Sequence, residues 1–191
     1  MRSFESRTLS AMALKSTIYK IKLNVSDMDR PHYGEYALTV ARHPSESDER
    51  MMVRVLAFAL HADEDLRFGR GLSTEDEADL YAQDLTGAIR LWIDVGLPDE
   101  RLVRKAAGRA DQVVVLNYGR TAGQWWEQSK ATLSKLGNLT VYRLSTADSQ
   151  ALAGLAQRGA DLQCIVQEGQ LWLGDDSGML QPVLERVFGG A

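Results

Sequence analysis

The chain of 191 residues is 45% hydrophobic and 25% charged, a balance that suits one folded α/β-sized domain and excludes disordered, collagen-like and low-complexity classes. Its formal charge of −4 excludes a broadly polyanion-binding surface, so nucleic acid would have to be met through a local basic patch. No apolar run reaches the roughly 18–20 residues that span a bilayer.

Residues 1–11, with Arg2, Glu5 and Arg7, lack the apolar run of a secretory signal and read as a disordered extension ahead of one domain over 12–191. Thr17, Tyr19, Ile21, Leu23 and Val25 alternate with Lys20, Lys22 and Asn24, which predicts a strand with one wet face. A turn over 26–31 leads to the alternation of Tyr36, Leu38 and Val40, so the pair predicts an N-terminal hairpin. Ser45 followed by Asp48 has the spacing of a capping box, and Met52, Val55, Leu56, Ala59 and Leu60 form the stripe of a helix running to about Ala62. Residues 63–86 form a long acid-rich connection, a length associated with function or with short hidden elements.

A strand over 88–95 follows, then a helix opened by Pro98, Asp99 and Glu100, with Leu102, Val103, Ala106 and Ala110 as its core face. The β-branched run 112–116 predicts a strand buried on both sides. Helices over 121–136 and 146–157 flank a strand at 140–144, and 162–166 with 171–173 form a hairpin turning at Glu168-Gly169. The order predicts a mixed sheet covered by helices. Cys164 lies within an apolar strand, so it reads as an inert buried thiol, and the expected compartment is the cytoplasm.

No P-loop, dinucleotide fingerprint, nucleophile elbow or histidine metal spacing is present. The carboxylates carry the chemistry instead. Glu49 falls near the apolar stripe at a helix start, where an acid needs a partner, water or a cation. Asp94 ends a strand, a placement depleted in acids, and Asp79 and Asp84 precede that strand. Such oxygen donors suit Mg²⁺ or Mn²⁺, while ordinary ion pairs or solvation account for them equally well. In the next helix Lys105 and Arg109 border the core face, and Arg101 and Arg104 point outward.

Ala41-Arg42-His43-Pro44-Ser45-Glu46 with Glu49-Arg50-Met51-Met52, and the segment Leu91 to Glu100, resemble the signature regions of the YaeQ family of bacterial proteins. The resemblance implies a variant of the PD-(D/E)XK, restriction-endonuclease-like fold, in which a helix acid and two strand-associated acids gather Mg²⁺. It assigns Glu49 as the helix acid, Asp79 as the first Asp (Asp84 as alternative) and Asp94 as the D/E position. Glycine stands at Gly96, where the motif has lysine, and Lys105 is the candidate replacement, with Arg109 competing. Two functions follow from it. One is a Mg²⁺-dependent nuclease-like phosphodiesterase; the other is a non-catalytic binding or regulatory protein, with a protein partner, that keeps the fold without turnover.

Overall fold

A computed structural model of the chain describes residues 15–70 and 76–189. The extension expected over 1–11 lies outside them. β1 (Thr17–Asp27) and β2 (His32–Arg42) pair antiparallel along their full length, as the alternation predicts. They do not stand apart as a hairpin appended to one sheet. β1 also pairs in parallel with β8 (Ala160–Gln167), which continues through β9 (Gln170–Asp175) to β10 (Gly178–Leu180). The result is a five-stranded mixed sheet of order β10-β9-β8-β1-β2. The single sheet expected from the sequence is therefore two.

The second sheet, order β11-β7-β6-β5-β4-β3, holds β3 (Leu66–Phe68), β4 (Leu80–Gln83), β5 (Ile89–Val95), β6 (Ala110–Asn117), β7 (Leu139–Leu144) and β11 (Leu184–Phe188). β5, β6 and β7 run parallel, and β3, β4 and β11 are antiparallel to their neighbours. The acid-rich connection hides β3 and β4, two strands too short to leave a periodic signal. β10 and β11 likewise escape the sequence pattern.

α1 (Asp48–Leu60) lies between the two sheets, which is why Met51 to Ala59 are buried without a break rather than along one stripe. Its N-cap is Ser47, whose side chain accepts from the Arg50 amide; Ser45 instead bonds the His43 ring. A side-chain acceptor at this position satisfies one of the free amides of the first turn. α4 (Thr146–Ala153) packs beside α1. On the far face of the six-stranded sheet, α2 (Glu100–Ala107) and α3 (Ala122–Leu133) enclose a second core built on Trp92, Val103, Val113, Val115 and Leu133. Ala110, expected on the α2 face, begins β6. Val113 to Asn117 are buried on both sides, as expected of a central parallel strand.

At the β8–β9 turn both Glu168 (φ 53°) and Gly169 (φ 71°) are left-handed, the twist a two-residue hairpin demands. Cys164 is buried, and burial pushes its thiol up to about 12, so it carries no thiolate at neutral pH. No helix among the described residues is long and apolar enough to cross a membrane.

Candidate functional site

The carboxyl ends of the parallel strands β5 and β6 meet the first turn of α1, the position where open α/β sheets place ligands. A half-open cleft of about 560 Å³ lies there, lined by Arg50, Asp79, Trp92, Asp94, Gly96 and Tyr118 among others. The antiparallel register Leu80↔Ile93 sets Asp79 and Asp94 side by side at the ends of β4 and β5. The parallel register Val95↔Leu116 brings Tyr118, just beyond β6, over the same edge. Three sequence-distant segments are thus joined by strand pairing alone.

A chain of charges runs from the interior to the cleft. Glu46 is buried just ahead of α1 and accepts from Arg54 Nε at 2.8 Å and Nη2 at 2.7 Å. Arg54, 1% exposed, also donates to the Ala41 carbonyl. The same Glu46 Oε1 accepts from Arg50 Nη1 at 2.8 Å, and Arg50 Nη2 donates to Asp79 Oδ1 at 2.6 Å. Asp79 Oδ2 accepts the Val95 amide at 2.8 Å, which pins the carboxylate to the β5 backbone. Burial alone would weaken the Arg50 charge, but Asp79 and Glu46 outweigh it and raise its pKa. The sequence holds an i, i+4, i+8 ladder of Glu46, Arg50 and Arg54, which is the geometric signal of this arrangement.

Asp94 behaves differently. Burial first, and then the neighbouring Asp79 charge, push its carboxyl up to about 7, against smaller opposing contributions from Trp92, the Asp79 amide and Arg50. The Trp92 indole lies near enough to favour the charged carboxylate, yet its buried Nε1 falls short of hydrogen-bond geometry and has no partner among the described residues. The Arg109 guanidinium stands 5.4 Å from the Trp92 ring centroid. Burial, the largest influence, pushes the Tyr118 hydroxyl up to about 12, so it stays a donor.

Asp79 and Asp94 are therefore brought together, and the remaining candidates lie on separate contacts. Glu49 faces α4, where it accepts from the Ser149 hydroxyl at 2.6 Å. Asp84 closes the β4–β5 turn by accepting from the Thr86 and Ala88 amides, at the opposite end of those strands. Lys105 sits 2.8 Å from Asp76 on the surface. Arg90, on the same strand as Asp94, pairs with Asp63 and Asp65. Among the described residues no three His, Cys, Asp or Glu side chains converge as a metal-ligand group.

Gly96 has φ 95°, with its amide bonded to Leu116 and its carbonyl to Asn117. Its backbone thus disfavours a lysine side chain at the position where the resembling motif carries one. Trp125 and Trp126 are half-buried, the first donating to the Pro98 carbonyl and the second packing on Phe188, so neither offers an exposed aromatic contact.

Residues 12–183 match the protein family described as YaeQ protein. A Salmonella typhi protein named "Uncharacterized protein YaeQ" is 44% identical over 171 residues, 89% of this chain and 94% of its own length. Its Escherichia coli K12 counterpart of the same name is 43% identical over the same shares. The crystal structure of YaeQ from Xanthomonas axonopodis pv. citri has a TM-score of 0.88 at 44% identity, covering 92% of this chain and 99% of that one. That of Pseudomonas syringae has a TM-score of 0.87 at 34% identity, covering 92% and 97%. Two mixed sheets flanked by helices are the architecture shared with them.

Proposed function

This chain belongs to the YaeQ family, and on that premise we propose that it binds Mg²⁺ or Mn²⁺ at Asp79 and Asp94 and acts as a nuclease-like phosphodiesterase on nucleic acid. The observation that carries this reading is the pairing of two like-charged acids at the β4–β5 edge of a half-open cleft. Burial, and after it the Asp79 charge, keeps Asp94 protonated up to about 7, and a divalent cation would hold both ionised. The donor set fits the ion: Mg²⁺ typically takes one or two carboxylates and fills the rest of its octahedron with water and substrate phosphate. The six-stranded sheet, with α1 on one face and α2 and α3 on the other, is taken on the same reading as a restriction-endonuclease-like core.

The bound ion would supply Lewis-acid polarisation and charge neutralisation at the scissile phosphate. The chain's own residues orient the substrate. Arg50, held by Glu46 and Asp79, keeps unused N–H donors for a phosphate oxygen, and because it never releases its proton it positions rather than acts as a base. Glu49 bonds Ser149 through one oxygen and Lys105 pairs with Asp76, so neither belongs to the proposed ligand pair as it stands. A surface groove along α2 lined by Arg101, Arg104, Lys105 and Lys135 is the local basic patch for the phosphate backbone.

Calorimetric titration with MnCl₂ tests the reading, with saturable binding expected in the wild type and lost in Asp94→Ala. Mn²⁺-dependent cleavage of single- or double-stranded DNA or RNA, abolished by the same substitution, is the second expected result. No heat at millimolar metal rejects it.

The alternative is a non-catalytic binding protein that keeps the fold, favoured by Gly96 at the lysine position. A partner retained by Asp94→Ala, with no cleavage by the wild type, selects it over hydrolysis.

A further inference from the structure

A second cavity, of about 540 Å³, lies away from the acid pair, where the β8–β9 hairpin and the β7–β11 edge diverge below the end of α1. Its walls are apolar: Leu60, Val166, Leu171, Pro182 and Leu184. Leu171 and Pro182 are buried, so the floor is closed by the core, whereas Val183 stands 69% exposed at the rim. Cavities of about 300–1,000 Å³ with apolar walls and a few polar groups are the usual form of small-molecule sites.

The polar groups are one cation and several neutral groups. Arg186 stands exposed on β11 with its guanidinium carbon over the Tyr142 ring, 5.8 Å from the centroid, and among the described residues no acid forms a salt bridge with it, the adjacent Glu185 pairing with Arg143. His61 caps α1 and opens partly onto the cavity while packed deeply among protein atoms on its other sides. Burial, with the nearby Arg30 charge adding to it, holds the imidazole down at about 4, so it is neutral at physiological pH. Gln181 Nε2 donates to Gln170 Oε1 across the rim at 3.1 Å, leaving the Gln181 carbonyl and the Gln170 amide for a ligand. Among the described residues no carboxylate lines this space.

We propose that this cavity binds a small amphipathic monoanion, an aliphatic or aromatic carboxylate whose apolar body lies against Leu60, Leu171 and Leu184 and whose acid group meets Arg186. The His61 ring at the cavity edge adds no second charge, and the guanidinium beside Tyr142 has the planar fork that matches a carboxylate in a bidentate contact. The site is independent of the metal reading, and neither acid of the cleft contributes to it.

The experiment is a titration of the intact chain with sodium octanoate and, separately, with octan-1-ol, followed by amide chemical shifts. Saturable shifts centred on residues 166–171 and 181–186 are expected for octanoate, with octan-1-ol at least about tenfold weaker, equivalent to about 1.4 kcal/mol. Arg186→Gln is expected to bring octanoate down to the level of the alcohol while leaving the alcohol unchanged. Val183→Trp, a substitution at the exposed rim that leaves the core intact, is expected to weaken both. Retained native amide dispersion in each variant separates lost binding from lost fold. No saturation by octanoate at about 10 mM, equal affinity for the two ligands, or full octanoate affinity in Arg186→Gln overturns the proposal.

Discussion

Asp94→Asn separates the electrostatics of the cleft from ordinary packing. In the folded chain the carboxyl titrates at about 7, while the unfolded chain releases the same proton near the ordinary value of about 4. The folded value is raised, so below pH 4 both states are protonated and no penalty exists. Between about 4 and 7 the unfolded chain ionises first and stability falls; above about 7 the full penalty is present. Three pH units correspond to on the order of 4 kcal/mol, and relaxation around a side chain that is not fully enclosed lowers the observable effect to about 2–4 kcal/mol. Asparagine is close in shape and cannot ionise. Urea unfolding at pH 8 is therefore expected to show the variant with a midpoint about 1–2 M above wild type, given a slope near 2 kcal/mol per M. At pH 4 the two curves are expected to coincide. The reasoning is refuted by an Asn variant equally stable or less stable than wild type at pH 8, or by the same difference at both pH values. Mn²⁺ supplies a second arm: on the proposed metal reading a saturating ion is expected to stabilise wild type by about 2.7 kcal/mol at a hundredfold excess over its dissociation constant and to leave the variant unmoved.

Glu46→Ala strands the buried Arg54 guanidinium and frees Arg50, so equilibrium unfolding is expected to show a loss of about 3–5 kcal/mol, larger than Arg54→Ala, where Arg50 still satisfies Glu46. His61→Leu should flatten the acid limb of the stability curve. The folded imidazole takes its proton only at about 4, so wild-type stability is lost as pH falls from about 6.5, by about 3 kcal/mol at most; a variant curve parallel to wild type between pH 6.5 and 4 would count against burial as the cause. Gly96→Ala costs about 1–2 kcal/mol through backbone strain alone, since a Cβ there meets only the Tyr118 ring at 3.7 Å; calorimetric melting checks it, and a neutral result would show that the turn relaxes. The same strain makes Gly96→Lys a poor way to introduce an ammonium into the cleft.

Legibility followed the length of each pattern. β1, β2, β5, β6 and the β8–β9 hairpin announce themselves because five or more alternating or β-branched residues repeat a period that one face or two faces of burial require. β3, β10 and β11, of three to five residues, carry too few positions for a period, and their hydrogen bonds depend on a neighbour far along the chain. α1 presented one stripe in sequence, yet Met51 to Ala59 are buried all round, because the off-stripe residues Met51, Val53, Ala57 and Phe58 are apolar and fit a second sheet as well as the first. Ala110 fell on the wheel of α2 only because a helix continued past its true end keeps a plausible face.

In the candidate site, Asp79 and Asp94 could be named from residue type and position, but their adjacency comes from the β4–β5 register. Glu46 lies farther round the α1 wheel than Glu49, so its angle alone does not single it out, although the four-residue ladder to Arg50 and Arg54 stands in the sequence. Residue chemistry and local period were settled by the chain itself: which segments extend, which coil, where acids gather, and that Cys164 is interior. Tertiary structure alone decided that one expected sheet is two, that Glu49 and Lys105 spend their charges on Ser149 and Asp76, and that Asp94 faces Asp79. The reason is that a side chain's protonation and partners depend on distances across non-local contacts, which local periodicity does not encode.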